Sequence, residues 1–391
     1  MRFQSFTNEK SESFNFAYSF TLGMVNFSVF SNVKEVMKEI EHYIPLTTNS
    51  RTMIHYEIRM YINAELNESI RSHCFSGGAD VFSKPDFSYK TIVDDDVTLL
   101  ASNIGFRNSN KHSIIMNGNH IAIVASEESS EIYRTPLRLI REIFLRELEN
   151  VGGCFTHGAA IAIDEGKSGI LIIGDNGVGK TSTMWNLVQQ KGVEYISNDR
   201  CILHEEQNDI VVYGWPLAIR LGMGTLEHSR LIKEGDSEAI FRRDQASGIW
   251  SQKFENEEDA LKYWRSMDKL EITPQEMFEF KGVINRGSEK VSAVIFPDLK
   301  IGSGEIRLEP IDWDDSLDKI LNDNLREPID EDYLRGFLNI RKVSDEFLIA
   351  ATAQLIRQLK TKKIWKLSGD PRDLSSKAES IVDTLRSHLG N

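Results

Sequence analysis

The sequence predicts an α/β fold with an α+β N-terminal domain, and three observations lead to that prediction. Residues 1–130 contain several short stretches in which apolar and polar positions alternate, as they do in half-buried strands. Residues 131–391 combine apolar, β-branched runs with stretches of helical spacing, which is typical of a sheet covered by helices. A glycine-rich loop follows one of these runs, in the segment GILIIGDNGVGKTS at 169–182. We therefore predict two domains, 1–130 and 131–391.

Length, charge and cysteine content exclude several classes of protein. The net charge of −13 over 391 residues argues against general binding to nucleic acid or to an anionic membrane. The three cysteines are widely spaced, which favours neither a disulfide framework nor a zinc site and suits a reducing compartment. No apolar run is long enough to cross a bilayer, and the polar N-terminus lacks the features of a secretory signal. The composition therefore predicts a cytoplasmic protein without nucleic-acid or membrane partners.

The first domain is predicted to contain a helix and antiparallel strands. A hairpin is expected over 14–30, a helix over 33–43 and a regular strand over 53–64. One strand is expected over 89–101, and a second hairpin over 113–125 that turns at Asn117-Gly118-Asn119. This domain shows no catalytic motif, and its role is left open between recognition of a substrate and recognition of a partner.

A strand–loop–helix unit organises the second domain. The apolar run Ile170–Ile173 is typical of a buried strand of a parallel sheet, and the residues after Ser182 favour a helix that stops near Gly192. The loop between them fits G-x-x-x-x-G-K-[ST], in which glycines let backbone N–H groups surround phosphate oxygens at a helix N-terminus. The residues predicted to bind a nucleotide are Gly174, Asp175, Asn176, Gly177, Val178, Gly179, Lys180, Thr181 and Ser182.

Other elements surround this unit. An amphipathic helix is predicted over 133–148, and its arginines are interpreted as a solvated face. A single strand over 154–163 is expected to carry His157 and to lead through a tight turn into the apolar run. The charged stretch 228–268 is expected to be helical or partly mobile, and one interpretation is a segment that covers the substrate. Further strands are predicted at 193–197, 201–204, 210–213, 291–296 and 364–367, and helices at 317–321, 332–338, 343–360 and 374–389.

The loop residues imply a nucleoside triphosphate, ATP or another, together with Mg²⁺. Lys180 is expected to contact the β- and γ-phosphates, and the Thr181 hydroxyl to bind the metal ion. Asp175 is either structural or close to an acceptor. Three arginines, each interpreted as either a phosphate contact or a surface salt bridge, are Arg200, Arg220 and Arg243.

Residues 156–203 resemble the nucleotide-binding core of HPr kinase/phosphorylase and of the wider HPr-kinase-like group, which is related to phosphoenolpyruvate carboxykinases. The segments THGAAIAID, GILIIGDNGVGKTS and GVEYISNDRCIL agree with the family pattern in order and spacing. The helix before them and the segment GWPLAIRLG at 214–222 are also similar to this group. The resemblance covers about residues 133–225, is faint to residue 391 and is absent over residues 1–130. It implies an HPr-kinase-like P-loop core.

The resemblance also implies roles for residues outside the loop. His157 matches a histidine beside the phosphates, and Asp199 matches an aspartate that holds Mg²⁺ directly or through water. Asn198 departs from the family, because an aspartate there takes a proton from the acceptor hydroxyl and an amide cannot. His157 could take the proton instead, since imidazoles titrate near neutrality, or the acceptor is an anion that needs no base. Asp298, which follows the apolar run VSAVIF, is a rival for the metal-binding carboxylate.

The function expected from these residues is that of an ATP- and Mg²⁺-dependent kinase acting on a peptide, protein or small molecule. The alternative is a nucleotide-binding regulatory or interaction protein with weak or no turnover, and Asn198 favours it. The sequence leaves open the identity of the acceptor, the choice between ATP and GTP, and whether the chain forms a homo-oligomer.

Overall fold

The computed structural model describes residues 13–45, 54–84, 87–94, 96–103, 111–222, 224–225, 269–325 and 336–389. The chain divides into two compact units. The first contains residues 1–44, 48–151 and 327–344, and the second contains residues 45–47, 152–326 and 345–391. The predictions for 228–268 and for Arg243 lie outside the described residues, as does most of the helix predicted at 332–338.

Mixed α/β structure is present in both units. The strands of the first unit are β1 (Phe16–Leu22), β2 (Val25–Ser31), β3 (Ile54–Ile62), β4 (Ala79–Lys84), β5 (Phe87–Asp94), β6 (Val97–Ser102), β7 (His112–Asn117) and β8 (His120–Ala125). Its helices are α1 (Lys34–Glu41), α2 (Ala64–Gly77), α3 (Ser130–Tyr133) and α4 (Thr135–Glu149). The described strands form one eight-stranded sheet in the order β1-β2-β3-β8-β7-β6-β5-β4.

The strand pairing of the first unit is mainly antiparallel, as predicted. Both hairpins, β1–β2 and β7–β8, are confirmed. The pairs β2–β3 and β3–β8 are parallel, which the sequence did not predict. For β2–β3 the reason is the crossover through α1, since parallel neighbours need a long connection between them.

Two elements of the first unit differ from the prediction. The single strand expected over 89–101 is the hairpin β5–β6, because the chain reverses between Asp94 and Val97. Helix α2 was not predicted, although Leu66, Ile70 and Cys74 are spaced by one helical turn and are all buried. The Asn63 side chain caps this helix by accepting a hydrogen bond of 2.9 Å from the Leu66 N–H.

Helix α4 lies in the first unit, which runs to residue 151 in this part of the chain. The boundary in the sequence is therefore about twenty residues after the predicted one at 130. The physical reason is that α4 packs against α1 and β2. The interpretation of its arginines as a solvated face is wrong for Arg146, which is 1% exposed. Its guanidinium lies 3.0 Å from the Glu142 carboxylate and 2.6 Å from that of Glu149, and this pairing allows a buried charge.

The second unit contains a larger mixed sheet. Its strands are β9 (Cys154–Thr156), β10 (Gly158–Ile163), β11 (Ser168–Ile173), β12 (Glu194–Ser197), β13 (Cys201–Glu206), β14 (Asp209–Gly214), β15 (Ile219–Gly222), β16 (Lys269–Ile272), β17 (Ser288–Leu299), β18 (Arg307–Pro310) and β19 (Lys363–Gly369). Its helices are α5 (Lys180–Leu187), α6 (Pro274–Lys281), α7 (Asp315–Asn324), α8 (Asp345–Leu359) and α9 (Leu374–Leu389). The principal sheet follows the order β12-β10-β11-β17-β14-β13-β9, and β19 pairs with both β17 and β18.

Apolar side chains cover both faces of this sheet. Alternate residues of β11 join two separate cores, with Ile170 and Ile172 in one and Leu171 and Ile173 in the other. Helices α5 and α9 contribute to the first core, and α7 and α8 to the second. Burial on both faces explains why this strand is a continuous apolar run.

The sheet is mixed rather than parallel. Strand β11 is parallel to β17 but antiparallel to β10, because a tight turn joins β10 directly to β11. The single strand predicted over 154–163 is two strands that pair with different neighbours, β9 with β13 and β10 with β11 and β12. His157 lies between these two strands, where its backbone N–H donates a 2.9 Å hydrogen bond to the Asn324 carbonyl.

The ends of several strands converge at one edge of this sheet. Strands β11 and β12 are both antiparallel to β10, so their carboxyl ends lie at the same edge. Strands β17 and β19 are parallel to β11 and end there too. His157 lies at the same edge, because β10 starts where its antiparallel neighbours end. Within the described ranges, no helix has the length and apolar character needed to cross a membrane.

Candidate functional site

The predicted loop joins β11 to α5 and depends on its glycines. Gly177 and Gly179 have φ angles of 82° and 102°, in the left-handed region that favours glycine. A Cβ atom at Gly179 would also lie 2.7 Å from the Leu299 Cδ1 atom. These positions therefore require glycine, and the loop directs the first turn of α5 towards the edge of the sheet.

Lys180 is held against the loop by hydrogen bonds. Its side chain is 8% exposed, and Nζ donates to the backbone carbonyls of Gly174 at 2.6 Å and of Asp175 at 3.0 Å. Ser182, the third residue of α5, is hydrogen-bonded through Oγ to the Thr225 Oγ1 atom at 2.7 Å. The ammonium group is therefore fixed at the loop, where it can contact an anion.

A cavity of about 530 Å³ lies beside the loop. The predicted loop residues that line it are Asn176, Gly177, Gly179, Lys180, Thr181 and Ser182. His157 and Asp199 line the same cavity, so the structure brings together the loop and the two residues expected beside it. Loop N–H groups, a helix N-terminus and an ammonium group form a set of donors that fits the phosphates of a nucleotide.

His157 and Asp199 form a pair at the cavity. The His157 Nε2 atom lies 3.4 Å from the Asp199 Oδ1 atom. Asp199 has a φ angle of 69°, in the left-handed region, which aspartate adopts more readily than most non-glycine residues. The bend after β12 brings this residue to the cavity.

Asn198 differs from Asp199, the next residue, in the surroundings of its side chain. It is 1% exposed, and the described part of the chain offers no hydrogen-bond partner to either polar atom of its side chain. It is not among the residues that line the cavity. Asn198 is therefore adjacent to the site in sequence, but its side-chain amide is buried outside the cavity.

The rival carboxylate, Asp298, is engaged elsewhere. Its oxygens lie 2.8 Å from the Lys300 ammonium group and 3.2 Å from that of Lys366. The hydrogen bond from Lys300, followed by that from Lys366, lowers the pKa of Asp298 below its ordinary value. Two lysines therefore neutralise this carboxylate, whereas Asp199 faces the cavity.

The remaining predicted residues have separate surroundings. Arg220 lines the cavity and lies 3.4 Å from the Glu271 carboxylate, so it is paired at the cavity wall. The Arg200 guanidinium lies 5.8 Å from the centre of the Phe155 ring. Asp175 is exposed. None of the described residues forms a cluster of three or more His, Cys, Asp or Glu side chains suited to a metal ion. One carboxylate with Thr181 still fits Mg²⁺, which is usually bound by one or two carboxylates plus substrate phosphates.

One side of the cavity was not predicted from the sequence. Leu299 lines it at the end of β17, Lys300 and Ile301 line it just after that strand, and Pro371 lines it after β19. The available signal was the position of these residues directly after two apolar strands, because ligands of open sheets bind beyond the carboxyl ends of strands.

Comparisons with known proteins add little to this geometry. No family model matches the chain, and no curated protein matches it. The chain is similar to a solved structure described as the Hpr(Ser) kinase/phosphatase from Coxiella burnetii, at 13% identity over 60% of this chain and 92% of that one. The TM-score of 0.26 is too low for this likeness to support a conclusion on fold or function.

Proposed function

We propose that this chain is an ATP- and Mg²⁺-dependent phosphotransferase that acts on a peptide, protein or small-molecule acceptor. The observation that supports it most is that the loop holding Lys180 and the pair His157–Asp199 line one cavity. Loose phosphoryl-transfer transition states are stabilised mainly by positioning and charge neutralisation, and these residues offer both.

Each part of the site has a role in this proposal. The loop N–H groups, the N-terminus of α5 and Lys180 bind the phosphates. Thr181 and Asp199 hold Mg²⁺, which when bound neutralises charge on the phosphate oxygens. His157 accepts the proton of a hydroxyl acceptor, since Asn198 is an amide and is buried.

The sequence resemblance extends the proposal to a family. We assign the second unit to the HPr-kinase-like group on the agreement of its three segments, with Asn198 as the departure. The proposed partners are a nucleotide and its acceptor, and the proposed location is the cytoplasm. The first unit is proposed to recognise the acceptor or a partner.

A second function follows from Asn198. A nucleotide-binding regulatory protein would need the loop and Lys180 but no group to accept a proton. The buried, unpaired amide of Asn198 favours this alternative over a serine kinase of the usual mechanism.

One experiment separates the two functions. The protein is incubated with ATP and Mg²⁺, with and without candidate acceptors, and ADP is measured. A phosphotransferase forms ADP and a phosphorylated acceptor, and the Lys180→Ala variant does not. Lys167→Ala is the matched control, because Lys167 is exposed in the turn before β11. Nucleotide binding without acceptor-dependent ADP formation supports the regulatory alternative.

A further inference from the structure

The cavity beside the loop has two unlike sides. His157 and Asp199 lie on one side, at the start of β10 and after the end of β12. Leu299, the last residue of β17, and Ile301, just after it, lie on the other side, together with Pro371 after β19. Because β11 lies between β10 and β17 in the sheet, the phosphate-binding loop separates the two sides.

Three of the four residues on the second side are apolar. We call Leu299, Ile301 and Pro371 the apolar wall. Leu299 and Pro371 are buried and Ile301 is half-buried. Lys300 lies beside them, but its ammonium group is 2.8 Å from the Asp298 carboxylate and is therefore already paired. The apolar wall thus offers hydrophobic contact.

Backbone hydrogen bonds fix the apolar wall relative to the loop. The Leu299 N–H donates to the carbonyl of Val178, within the loop, at 3.1 Å. The Lys300 N–H donates to the Gly369 carbonyl, at the end of β19, at 3.0 Å. The wall is therefore tied both to the phosphate-binding loop and to the neighbouring strand.

Asp370 holds the turn that follows the apolar wall. Its carboxylate accepts a hydrogen bond of 2.6 Å from the Gly302 N–H, and its own N–H donates to the Gly304 carbonyl at 2.9 Å. The Arg372 side chain also donates to this carboxylate, with the NH2–Oδ2 distance at 2.7 Å. Hydrogen bonding from Arg372 lowers the pKa of Asp370 to about 2. These hydrogen bonds tie the turn to the residues that follow β19.

A nucleotide needs two kinds of surface. Its triphosphate requires N–H groups and cations, which the loop and Lys180 supply. Its base is a flat ring system whose faces pack on apolar side chains, and small-molecule sites combine apolar walls with a few polar groups in this way. The cavity volume of about 530 Å³ lies within the range of about 300–1,000 Å³ typical of such sites.

We infer that the base of the bound nucleotide packs against Leu299, Ile301 and Pro371. The phosphate chain then runs along the loop, and the acceptor approaches from the side of His157 and Asp199. This inference rests on the proposed nucleotide-dependent function and adds to it the orientation of the nucleotide.

The test compares two probes on one variant. Ile301→Ser removes apolar surface from the wall in an exposed turn, whereas a change at Leu299 would also disturb its packing on Gly179. Binding of ATP and of inorganic tripolyphosphate is measured by calorimetry in the presence of Mg²⁺. We expect Ile301→Ser to weaken ATP binding about tenfold or more and to leave tripolyphosphate binding unchanged, since tripolyphosphate has no base. The control is Ile349→Ser, because Ile349 is 57% exposed on α8 and is not part of the cavity.

The outcomes separate the inference from the proposed function. An unchanged ATP affinity in Ile301→Ser, or equal weakening of both probes, overturns the inference and leaves the proposed function in place. If neither ATP nor tripolyphosphate binds the unaltered protein, the proposed function fails and the inference fails with it.

Discussion

The two sides of the glycine-rich loop at 174–182 differ in how well their polar groups are paired. On the side of β17, Asp298 contacts two ammonium groups, and Asp370 accepts hydrogen bonds from Gly302 and Arg372. On the side of β12, the Asn198 amide is buried, with no partner in the described part of the protein. Asp199, the next residue, has a φ angle of 69°.

This difference supports the separate roles that the proposed function gives to the two sides. A buried polar group without a partner costs about 1–3 kcal/mol, and most buried polar groups are paired for that reason. Under the proposed function, the well-paired side forms the binding surface, and the side of His157 and Asp199 carries the chemistry.

The largest expected effect separates the two aspartates. Asp199→Asn removes the carboxylate that faces the cavity and would hold Mg²⁺, so Mg²⁺-dependent turnover should be abolished. Asp298→Asn alters a carboxylate bound to two lysines and should keep most of its turnover. The measurement is a titration of activity with Mg²⁺ in both variants. If only Asp298→Asn loses metal dependence, Asp298 and not Asp199 is the carboxylate that binds Mg²⁺.

The next effect tests the proton acceptor. His157→Ala should lower turnover on a hydroxyl acceptor by about 10²–10⁴-fold, the usual contribution of a general base. Adding Asn198→Asp to this variant should not restore activity, because residue 198 is buried and does not line the cavity. Because residue 198 is 1% exposed, thermal unfolding must show that the double variant is folded.

The same pair of variants can contradict a hydroxyl acceptor. If the acceptor is a carboxylate or phosphate, His157→Ala has little effect, and Asn198→Asp impairs turnover by placing a negative charge near an anion. Full activity in His157→Ala with loss of activity in Asn198→Asp would therefore point to an anionic acceptor.

A third prediction concerns stability and needs no substrate. Asn198→Leu replaces an unpaired amide by an apolar group of similar size, so the free energy of unfolding should rise by about 1 kcal/mol. The matched control is Asn67 of the first unit, which is also fully buried but bonds through its side chain to Lys111, Ser113 and Ser126. Asn67→Leu should lower the free energy of unfolding. Chemical denaturation measures the free energy of unfolding of the two variants. An equal decrease in Asn198→Leu and Asn67→Leu would show that the Asn198 side chain has hydrogen-bond partners.

The smallest effect concerns the well-paired side at low pH. The pKa of Asp370 is lowered to about 2 from an ordinary value of 3.8, so its ionised form stabilises the folded state above pH 3.8. This contribution is lost as the pH falls towards 2. Near neutral pH, Asp370→Asn should therefore be less stable than the unaltered protein. As the pH falls from 3.8 towards 2, the free energy of unfolding should decrease less in Asp370→Asn than in the unaltered protein. The exposed Asp373 serves as control, and the same pH profile in Asp370→Asn and Asp373→Asn would contradict the role of Asp370.

Much of the site could be predicted because it follows from local sequence. The strand, loop and helix around Lys180 are contiguous, so the residue pattern predicted all three. The carboxyl ends of β11 and β12 meet at one edge, which brings Asp199 to the loop as the spacing implied. The apolar wall could not be found in this way, because Leu299 and Pro371 are distant in sequence and adjoin only through the pairing of β17 with β19.

The fold was predicted less completely, for similar reasons. Helix α2 was not predicted, although Leu66, Ile70 and Cys74 carry the apolar spacing of a helix. The break at His157 was missed because Cys154–Ile163 is apolar throughout, and only tertiary pairing divides it into β9 and β10. The parallel pairing of β2 and β3 likewise depends on a crossover that strand alternation does not reveal.

The measurement that tests the central claim most directly is stabilisation of the protein by ATP and Mg²⁺. A ligand that binds only the folded state adds about 2.7 kcal/mol at a hundredfold excess over its Kd, so ATP should raise the unfolding temperature. Lys180→Ala also loses two hydrogen bonds to the loop, so the quantity to compare is the ATP-induced shift of each variant and not its own unfolding temperature. We predict that Lys180→Ala loses most of this shift and that Lys167→Ala keeps it. An equal ATP-induced shift in Lys180→Ala and in the unaltered protein would contradict nucleotide binding at this loop.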